Sequence, residues 1–98
     1  LEPAVARFLS LIPLTTVSGS LTITVFEENH GRSTNDVFRF RDGEEGAGIS
    51  ASDINNASGF TITVTNANNY TFTASGTATE TAKIGGGSIS AGPVTLSP

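Results

Sequence analysis

Apolar and polar residues alternate along most of the chain. Within residues 20–26, Leu21, Ile23 and Val25 alternate with serine and threonine. Residues 36–41 show the same alternation, with two phenylalanines on one face and arginines on the other. A repeat of two residues is typical of a β-strand that buries one face, and threonine, valine and phenylalanine favour strands. Both segments are therefore predicted to be half-buried strands.

The clearest unit spans residues 60–74. Phe60, Ile62 and Val64 alternate with threonine, and the alternation resumes after the asparagine-rich segment 66–69. Two amphipathic runs joined by a short loop of turn-forming residues predict a β-hairpin.

Short strands of this kind recur at intervals of about 8–12 residues, which is typical of sandwiches and barrels. Further short strands are expected at residues 49–51, 77–84 and 88–91. A chain of 98 residues suffices for a single core, and neither a repeat nor a linker divides it. We therefore expect an all-β fold over residues 15–98. It is a single antiparallel β-sandwich of about six to eight short strands, immunoglobulin-like or jelly-roll-like.

Residues 1–14 are the most apolar stretch of the chain. As a helix, they place Leu1, Val5, Phe8 and Ile12 on one stripe. As an extended arm, they reach about 45 Å at roughly 3.3 Å per residue. Either form needs a surface that covers it, which is the chain's own sandwich or a neighbouring copy whose sheet the arm completes. A targeting remnant or the stub of a longer helix is the third alternative.

The composition excludes several kinds of site. The chain has no cysteine, which rules out disulfides, cysteine zinc sites, iron–sulfur clusters and thiol nucleophiles. Its net charge of −4, with five lysines and arginines, argues against nucleic acid as a partner. No apolar run approaches the about 18–20 residues that span a bilayer, so no membrane span is predicted. No cofactor-binding motif is present, and no cofactor is expected.

Carboxylates crowd the loop that follows residues 36–41. Asp42, Glu44 and Glu45 offer oxygen ligands to Ca²⁺, which takes about 6–8 of them. Their order does not follow the EF-hand pattern, so the match is one of composition. The single histidine, His30, lies in a predicted turn and is expected to be solvated. No catalytic motif accompanies these residues, and we predict that the protein is not an enzyme.

Two N-glycosylation sequons are present, at Asn56 and Asn69, in predicted loops or at a loop end. They permit attachment of a glycan in a host that has the required enzymes. The aromatic residues follow the period of the predicted core. We therefore expect them to pack inside the domain rather than to form a sugar-binding platform.

The start and composition of the chain bear on its location. It begins at Leu1 rather than at methionine, and it is rich in threonine, serine, asparagine and glycine. These features are expected of a mature exported product. We predict an extracellular or cell-surface protein from which a signal peptide has been removed.

Two functions fit these features. The first is a structural subunit of an extracellular filament or pilus-like surface fibre, a homopolymer in which the arm of one copy inserts into a hydrophobic groove of the next. The arm residues expected to make this contact are Val5, Phe8, Leu9, Leu11, Ile12 and Leu14. The alternative is an immunoglobulin-like adhesive or carbohydrate-binding module of a larger secreted surface protein, which would fold as a monomer.

Overall fold

β-Strands form nearly all of the regular structure. The computed structural model describes residues 7–9, 12–87 and 89–94, and within these ranges lie nine strands and one short helix. The strands are β1 (Arg7–Phe8), β2 (Leu14–Thr16), β3 (Thr22–Phe26), β4 (Val37–Arg41), β5 (Phe60–Thr61), β6 (Thr63–Asn66), β7 (Asn69–Thr73), β8 (Ala82–Ile84) and β9 (Ser90–Pro93). The helix, α1 (Ala51–Ile54), lies between β4 and β5. The predicted all-β class is confirmed.

The strands form two antiparallel sheets arranged as a sandwich. One sheet has the order β1-β9-β4-β5, and the other has the order β6-β7-β3-β2-β8. Every neighbouring pair is antiparallel. The predicted antiparallel sandwich is confirmed, with nine described strands instead of about six to eight. The extra strands arise because residues 60–66 divide between the two sheets and because the N-terminal segment contributes β1.

The alternation along the strands decides which side chains the sandwich buries. In β3, Ile23 and Val25 are fully buried, whereas their neighbours along the strand are exposed or half-buried. Phe38 and Phe40 are buried in β4 in the same way. Each such side chain stabilises the fold by about 1.5–3 kcal/mol through removal of apolar surface from water. The other large side chains that are fully buried include Leu14, Ile54, Ile62, Tyr70 and Ile89.

The run of residues 60–66 passes from one sheet to the other. β5 pairs with β4, and β6 pairs with β7. Between β5 and β6, the Ile62 amide donates to the Asp36 carbonyl at 2.9 Å, and the Asn35 amide donates to the Ile62 carbonyl at 2.8 Å. A strand that changes sheets in this way closes a corner of the sandwich. The predicted hairpin is confirmed for β6 and β7, which a two-residue turn connects.

A short strand was predicted at residues 49–51, but Ile49 forms only an isolated β-bridge with Gly46 and the helix α1 begins at Ala51. Ser50 caps the helix, since its hydroxyl accepts a hydrogen bond from the Asp53 amide at 3.1 Å. A serine placed three residues before an acidic residue is typical of a helix start, so alternation alone led to the wrong element. None of the helical structure in the described ranges is long and apolar enough to cross a membrane.

The described part of the N-terminal segment pairs with its own chain. β1 pairs with β9, and the Leu9 amide donates to the Ile89 carbonyl at 2.9 Å. The Ile12 amide donates to the Gly86 carbonyl at 2.8 Å. β2 begins two residues later, between β3 and β8 in the other sheet. The chain therefore crosses from one sheet to the other between β1 and β2.

The six predicted arm residues lie in different environments. Leu9 and Leu14 are buried, at 8% and 0% exposure, whereas Ile12 is 42% exposed. Val5, Leu11 and the side chain of Phe8 lie outside the described part of the structure. Leu9 and Leu14 thus belong to the core of their own chain, and insertion of the arm into a neighbouring copy stays a proposal.

Candidate functional site

Four polar side chains are buried together where the loop between β3 and β4 meets β7. Glu27, His30 and Arg32 lie in that loop and are 6%, 4% and 8% exposed. Tyr70 lies in β7 and is fully buried. Charged side chains are almost never buried unless they are paired. We call these four residues the buried polar cluster.

The Glu27 carboxylate links two members of the cluster. Its Oε2 accepts a hydrogen bond from a terminal nitrogen of Arg32 at 3.1 Å. Its Oε1 accepts from the Tyr70 hydroxyl at 2.7 Å. Hydrogen bonds to an ionised group are about twice as strong as neutral ones. Both carboxylate oxygens therefore have partners within the protein.

The Arg32 guanidinium connects the loop to the four-stranded sheet. A terminal nitrogen donates to the Ala91 carbonyl of β9 at 3.3 Å. The guanidinium carbon also lies 4.4 Å from the centre of the Phe38 ring, which is the geometry of a cation–π contact. Because Tyr70 belongs to the five-stranded sheet, the pair of Arg32 and Glu27 ties the loop to both layers of the sandwich.

His30 completes the cluster and fixes the course of the loop. Its Nδ1 accepts from the Arg32 amide at 2.9 Å. In a neutral ring the hydrogen then resides on Nε2, which donates to the Asn66 carbonyl at 2.7 Å. The ring lies edge-on to Tyr70, with centroids 5.2 Å apart. The expectation of a solvated histidine is wrong, because the loop folds back against the end of the β6–β7 hairpin.

The contacts of the buried polar cluster are those of a structural site rather than of a catalytic one. A catalytic acid or base has to reach a proton on a substrate, at about 2.6–3.2 Å or through one water. The polar atoms of Glu27, His30 and Tyr70 are instead directed at other protein groups in the interior. Removing one partner of such a buried ion pair costs about 3–5 kcal/mol. The arrangement thus holds the loop in one position between the two sheets.

Two surface pockets are open depressions. One, of about 410 Å³, is lined by residues 29–32, which include His30 and Arg32 of the cluster, and by residues 64, 66 and 67. The other, of about 360 Å³, is lined by residues 45, 46 and 48–50 in the loop that follows β4. Small-ligand sites of about 300–1,000 Å³ bury most of their ligand and converge a few polar groups on it. Arg32 Nε is buried and has no hydrogen-bond partner among the residues that the structure describes.

The candidate calcium ligands lie on the surface. Asp42, Glu44 and Glu45 are exposed. The Glu44 amide donates to the Gly85 carbonyl at 3.1 Å, and the Glu44 side chain packs so closely on Gly86 that a Cβ there would lie 2.5 Å from it. Among the described residues, no three carboxylates or histidines form a group that could hold a metal ion.

The two sequons differ in structure. Asn56 follows α1 and is exposed, and its side-chain oxygen accepts from the Ser58 amide at 2.8 Å within a local turn. Asn69 is half-buried at the start of β7, where its side-chain nitrogen donates to Asn66 Oδ1 at 3.1 Å. The residue between Asn69 and its threonine is the fully buried Tyr70. Only the first sequon offers a free loop to a modifying enzyme.

The two arginines of β4 donate hydrogen bonds to backbone carbonyls. Arg39 Nε donates to the Asn55 carbonyl at the end of α1, at 3.3 Å. An Arg41 terminal nitrogen donates to the Val94 carbonyl at 3.1 Å. Burial, and secondarily the nearby charge of Arg39, lower the pKa of Arg41 below its usual range. These contacts join β4 to the residues that directly follow α1 and β9.

Sequence reasoning did not identify the buried polar cluster. Tyr70 falls at a core position of β7, and a buried tyrosine hydroxyl usually has a hydrogen-bond partner. Glu27 directly follows β3, and Arg32 lies five residues further along. The core position of Tyr70 could have indicated that a polar partner lies inside, but the sequence does not show which carboxylate it is.

Comparison with known proteins finds similarity among solved structures. No protein-family model matches the sequence, and no curated protein sequence matches it. Among solved structures, a chain of the phage phi92 endosialidase is similar, with a TM-score of 0.69 and 26% sequence identity. The match covers 90% of the present chain and 12% of the endosialidase chain. The present chain thus corresponds to about an eighth of that protein's length.

Proposed function

We propose that this chain is a non-catalytic β-sandwich module of a longer protein that acts at cell-surface glycans. The observation that carries the proposal is the match to 12% of the phage phi92 endosialidase chain over 90% of the present fold. A unit with its own core that recurs as a small part of a long chain is typical of a domain in a multidomain protein. Such a protein would work outside the cell, which agrees with the extracellular location expected from the composition.

The polar groups of the chain support a structural role in such a protein. The side chains of the buried polar cluster are buried, and their hydrogen bonds are to other atoms of the protein. Sialic acids carry carboxylates, whereas this chain has a net charge of −4 and only five lysines and arginines. One of those five, Arg32, is buried and paired. Electrostatics therefore oppose binding of a polyanionic glycan, and the module would instead position the parts of the protein that bind or cleave it.

The proposal is tested with the purified chain and a sialic acid polymer. Calorimetry should detect no binding at about millimolar polymer, because the charges repel. Release of reducing ends should not exceed that of a heat-denatured sample, while an intact endosialidase under the same conditions supplies the positive control. Turnover by the purified chain, or saturable binding of the polymer, would contradict the proposal.

The alternative function, a structural subunit of an extracellular filament, requires the same fold. Its partner would be another copy of this chain. It is favoured by one observation, the φ of 41° at Ile12, which lies between β1 and β2. In a filament each copy would be completed by the N-terminal segment of another, and its stability would depend on concentration. A module would keep the same stability on dilution, so unfolding measured over a dilution series separates the two functions.

A further inference from the structure

Threonines form a row across the outer face of the five-stranded sheet. In β2, β3 and β7, buried positions alternate with exposed or half-buried ones, which face outwards. The strand register places one threonine from each of four adjacent strands side by side, in the order Thr63, Thr71, Thr24 and Thr15. Within the described residues, none of these four hydroxyls has a hydrogen-bond partner in the protein. We call these four residues the threonine row, and its hydroxyls are available to a ligand.

An exposed aromatic side chain lies on the same face, at the end of β3. Phe26 is 41% exposed, whereas Phe38 and Phe40 are buried, so Phe26 departs from the expectation that the aromatic residues pack inside. Its register partner in β7 is Asn69. On its other side, the Phe26 amide donates to the Pro13 carbonyl at 3.0 Å. Pairing on both sides therefore holds the backbone of Phe26 in place on a rigid element, as a binding site requires.

Two asparagine side chains continue the row of positions that begins at Phe26. Asn69 is the register partner of Phe26, and Asn66 is the register partner of Asn69. Asn66 Oδ1 accepts hydrogen bonds from Asn69 Nδ2 at 3.1 Å and from the Asn68 amide at 2.8 Å. Among the described residues, Asn66 Nδ2 and Asn69 Oδ1 have no partner. A donor and an acceptor are therefore left unpaired on the strands next to the exposed ring.

We propose that this face binds a neutral glycan, with one sugar ring stacked on Phe26 and its hydroxyls bonded to the two asparagines and the threonine row. A sugar ring presents C–H groups, which pack on the negative face of an aromatic ring, and hydroxyls, which both donate and accept hydrogen bonds. Directly opposed positions on neighbouring strands have Cβ atoms about 4.5–5.5 Å apart, and diagonal positions are about 7–8 Å apart. Asn69 is opposed to Phe26 and Thr71 is diagonal to it, so a single sugar ring spans all three.

The charge and composition of the face favour a neutral glycan over other partners. In the five described strands of this sheet, the one charged residue is Lys83, in the edge strand β8. Nucleic acid binds through several lysines and arginines that neutralise phosphates. A protein interface has an apolar core, whereas the middle of this face consists of threonines. An uncharged ligand rich in hydroxyls satisfies the unpaired groups without removing a charge from water.

This inference goes beyond the proposed function, since it is carried by the residues of this face alone. It concerns uncharged sugars, whereas the test of the proposed function uses a sialic acid polymer. Binding of that polymer would contradict the proposed function and leave the present inference standing. Failure to bind neutral sugars would overturn the present inference and leave the proposed function standing.

Amide chemical shifts of the isotope-labelled chain, measured by NMR, test the proposal. Methyl glycosides of glucose, galactose, mannose and N-acetylglucosamine are titrated to about 50 mM, because a ligand of about a dozen non-hydrogen atoms binds with a Kd of about 1–10 mM. At least one of these sugars should shift the amides of residues 24, 26, 69 and 71 along a saturating curve, while the amides of β4 in the other sheet do not move. Saturating shifts with none of the sugars, or shifts confined to other surfaces, would overturn the proposal.

Two matched pairs of variants identify the groups that bind. Phe26→Ala should raise the Kd about tenfold, whereas Val37→Ala, which truncates a side chain of 46% exposure on the other sheet, should change it less than about twofold. Thr71→Val removes a hydroxyl, keeps the shape of the side chain and should raise the Kd about threefold to tenfold. Thr61→Val makes the same change at an exposed position of β5 and should leave the Kd unchanged. Equal constants within either pair would contradict the proposal.

A second copy of the chain is the other occupant that the same spectra detect. If this face paired with itself, the amides of residues 24, 26, 69 and 71 would shift on raising the protein concentration without sugar. The proposal predicts that they stay in place between about 0.05 and 1 mM protein, because the threonine row has no apolar core to bury. Shifts of these amides with protein concentration alone would overturn the proposal.

Discussion

Arg32→Met should destabilise the fold strongly, because it leaves Glu27 charged in the interior. The two side chains are 3% and 6% exposed, and their charged atoms are 3.1 Å apart. Methionine keeps an unbranched chain against the Phe38 ring but removes the positive charge. Loss of one partner of a buried pair costs about 3–5 kcal/mol. We expect a value near the lower end, about 3 kcal/mol, because the Tyr70 hydroxyl still donates to Glu27 at 2.7 Å.

The loss in the free energy of unfolding is measured by urea unfolding, followed by circular dichroism. A domain of this size is stable by about 5–15 kcal/mol, so about 3 kcal/mol is a large part of the total. The corresponding fall in the thermal midpoint is about 12–24 °C, at about 4–8 °C per kcal/mol. Arg39→Met is the matched control, since Arg39 is only half-buried and makes one long bond to a carbonyl. The free energy of unfolding of this control should fall by less than about 1 kcal/mol, because the contact that is removed is partly exposed.

The double variant Glu27→Leu with Arg32→Met separates the penalty of an unpaired charge from a loss of packing. Replacement of a whole buried pair by apolar residues is often neutral. The Tyr70 hydroxyl then loses its acceptor, at a cost of about 1–3 kcal/mol. The double variant should therefore be at least as stable as Arg32→Met alone. If Arg32→Met is no less stable than Arg39→Met, the cluster does not anchor the loop, and the argument from burial is refuted.

Two further predictions use matched positions. Gly59→Ala should lower the free energy of unfolding, measured in urea, by about 2–4 kcal/mol. The φ of Gly59 is 73°, and an added Cβ would lie 2.6 Å from the Phe38 carbonyl oxygen. Gly19→Ala has a φ of 79° with no atom within 4 Å and should lose only about 1 kcal/mol, so equal losses would show that the close approach is unimportant. On secretion from a glycosylating host, peptide mapping should find glycan at Asn56 and little at Asn69, and the reverse pattern would contradict the described exposure of the two sites.

The period-two alternation predicted most of the sandwich because each strand buries one face. It placed Ile23, Val25, Phe38 and Phe40 in the core, and all four are buried. Alternation reports which face is buried and not which sheet a residue joins. Residues 60–66 keep one apolar face while they pass from one sheet to the other, so a single strand was predicted where β5 and β6 lie in different sheets.

The buried polar cluster could not be predicted in the same way, since its members are brought together by the fold. Glu27 and Tyr70 are 43 positions apart in the chain, and their hydrogen bond depends on the pairing of β3 with β7. His30 lies among turn-forming residues, which are commonly solvated. Its burial follows from contacts with Arg32 and with the β6–β7 hairpin that no local pattern contains.

The central claim is that this chain is a self-contained module with a complete core. Equilibrium urea unfolding of the isolated chain, followed by circular dichroism and by tyrosine fluorescence at several micromolar concentrations, tests it most directly. Because the core is closed by the chain's own residues, the account predicts one cooperative transition, coincident for both probes and independent of protein concentration. A chain that is unfolded on its own, or whose midpoint rises with concentration in this range, would show that a neighbouring copy completes the fold and would contradict the account.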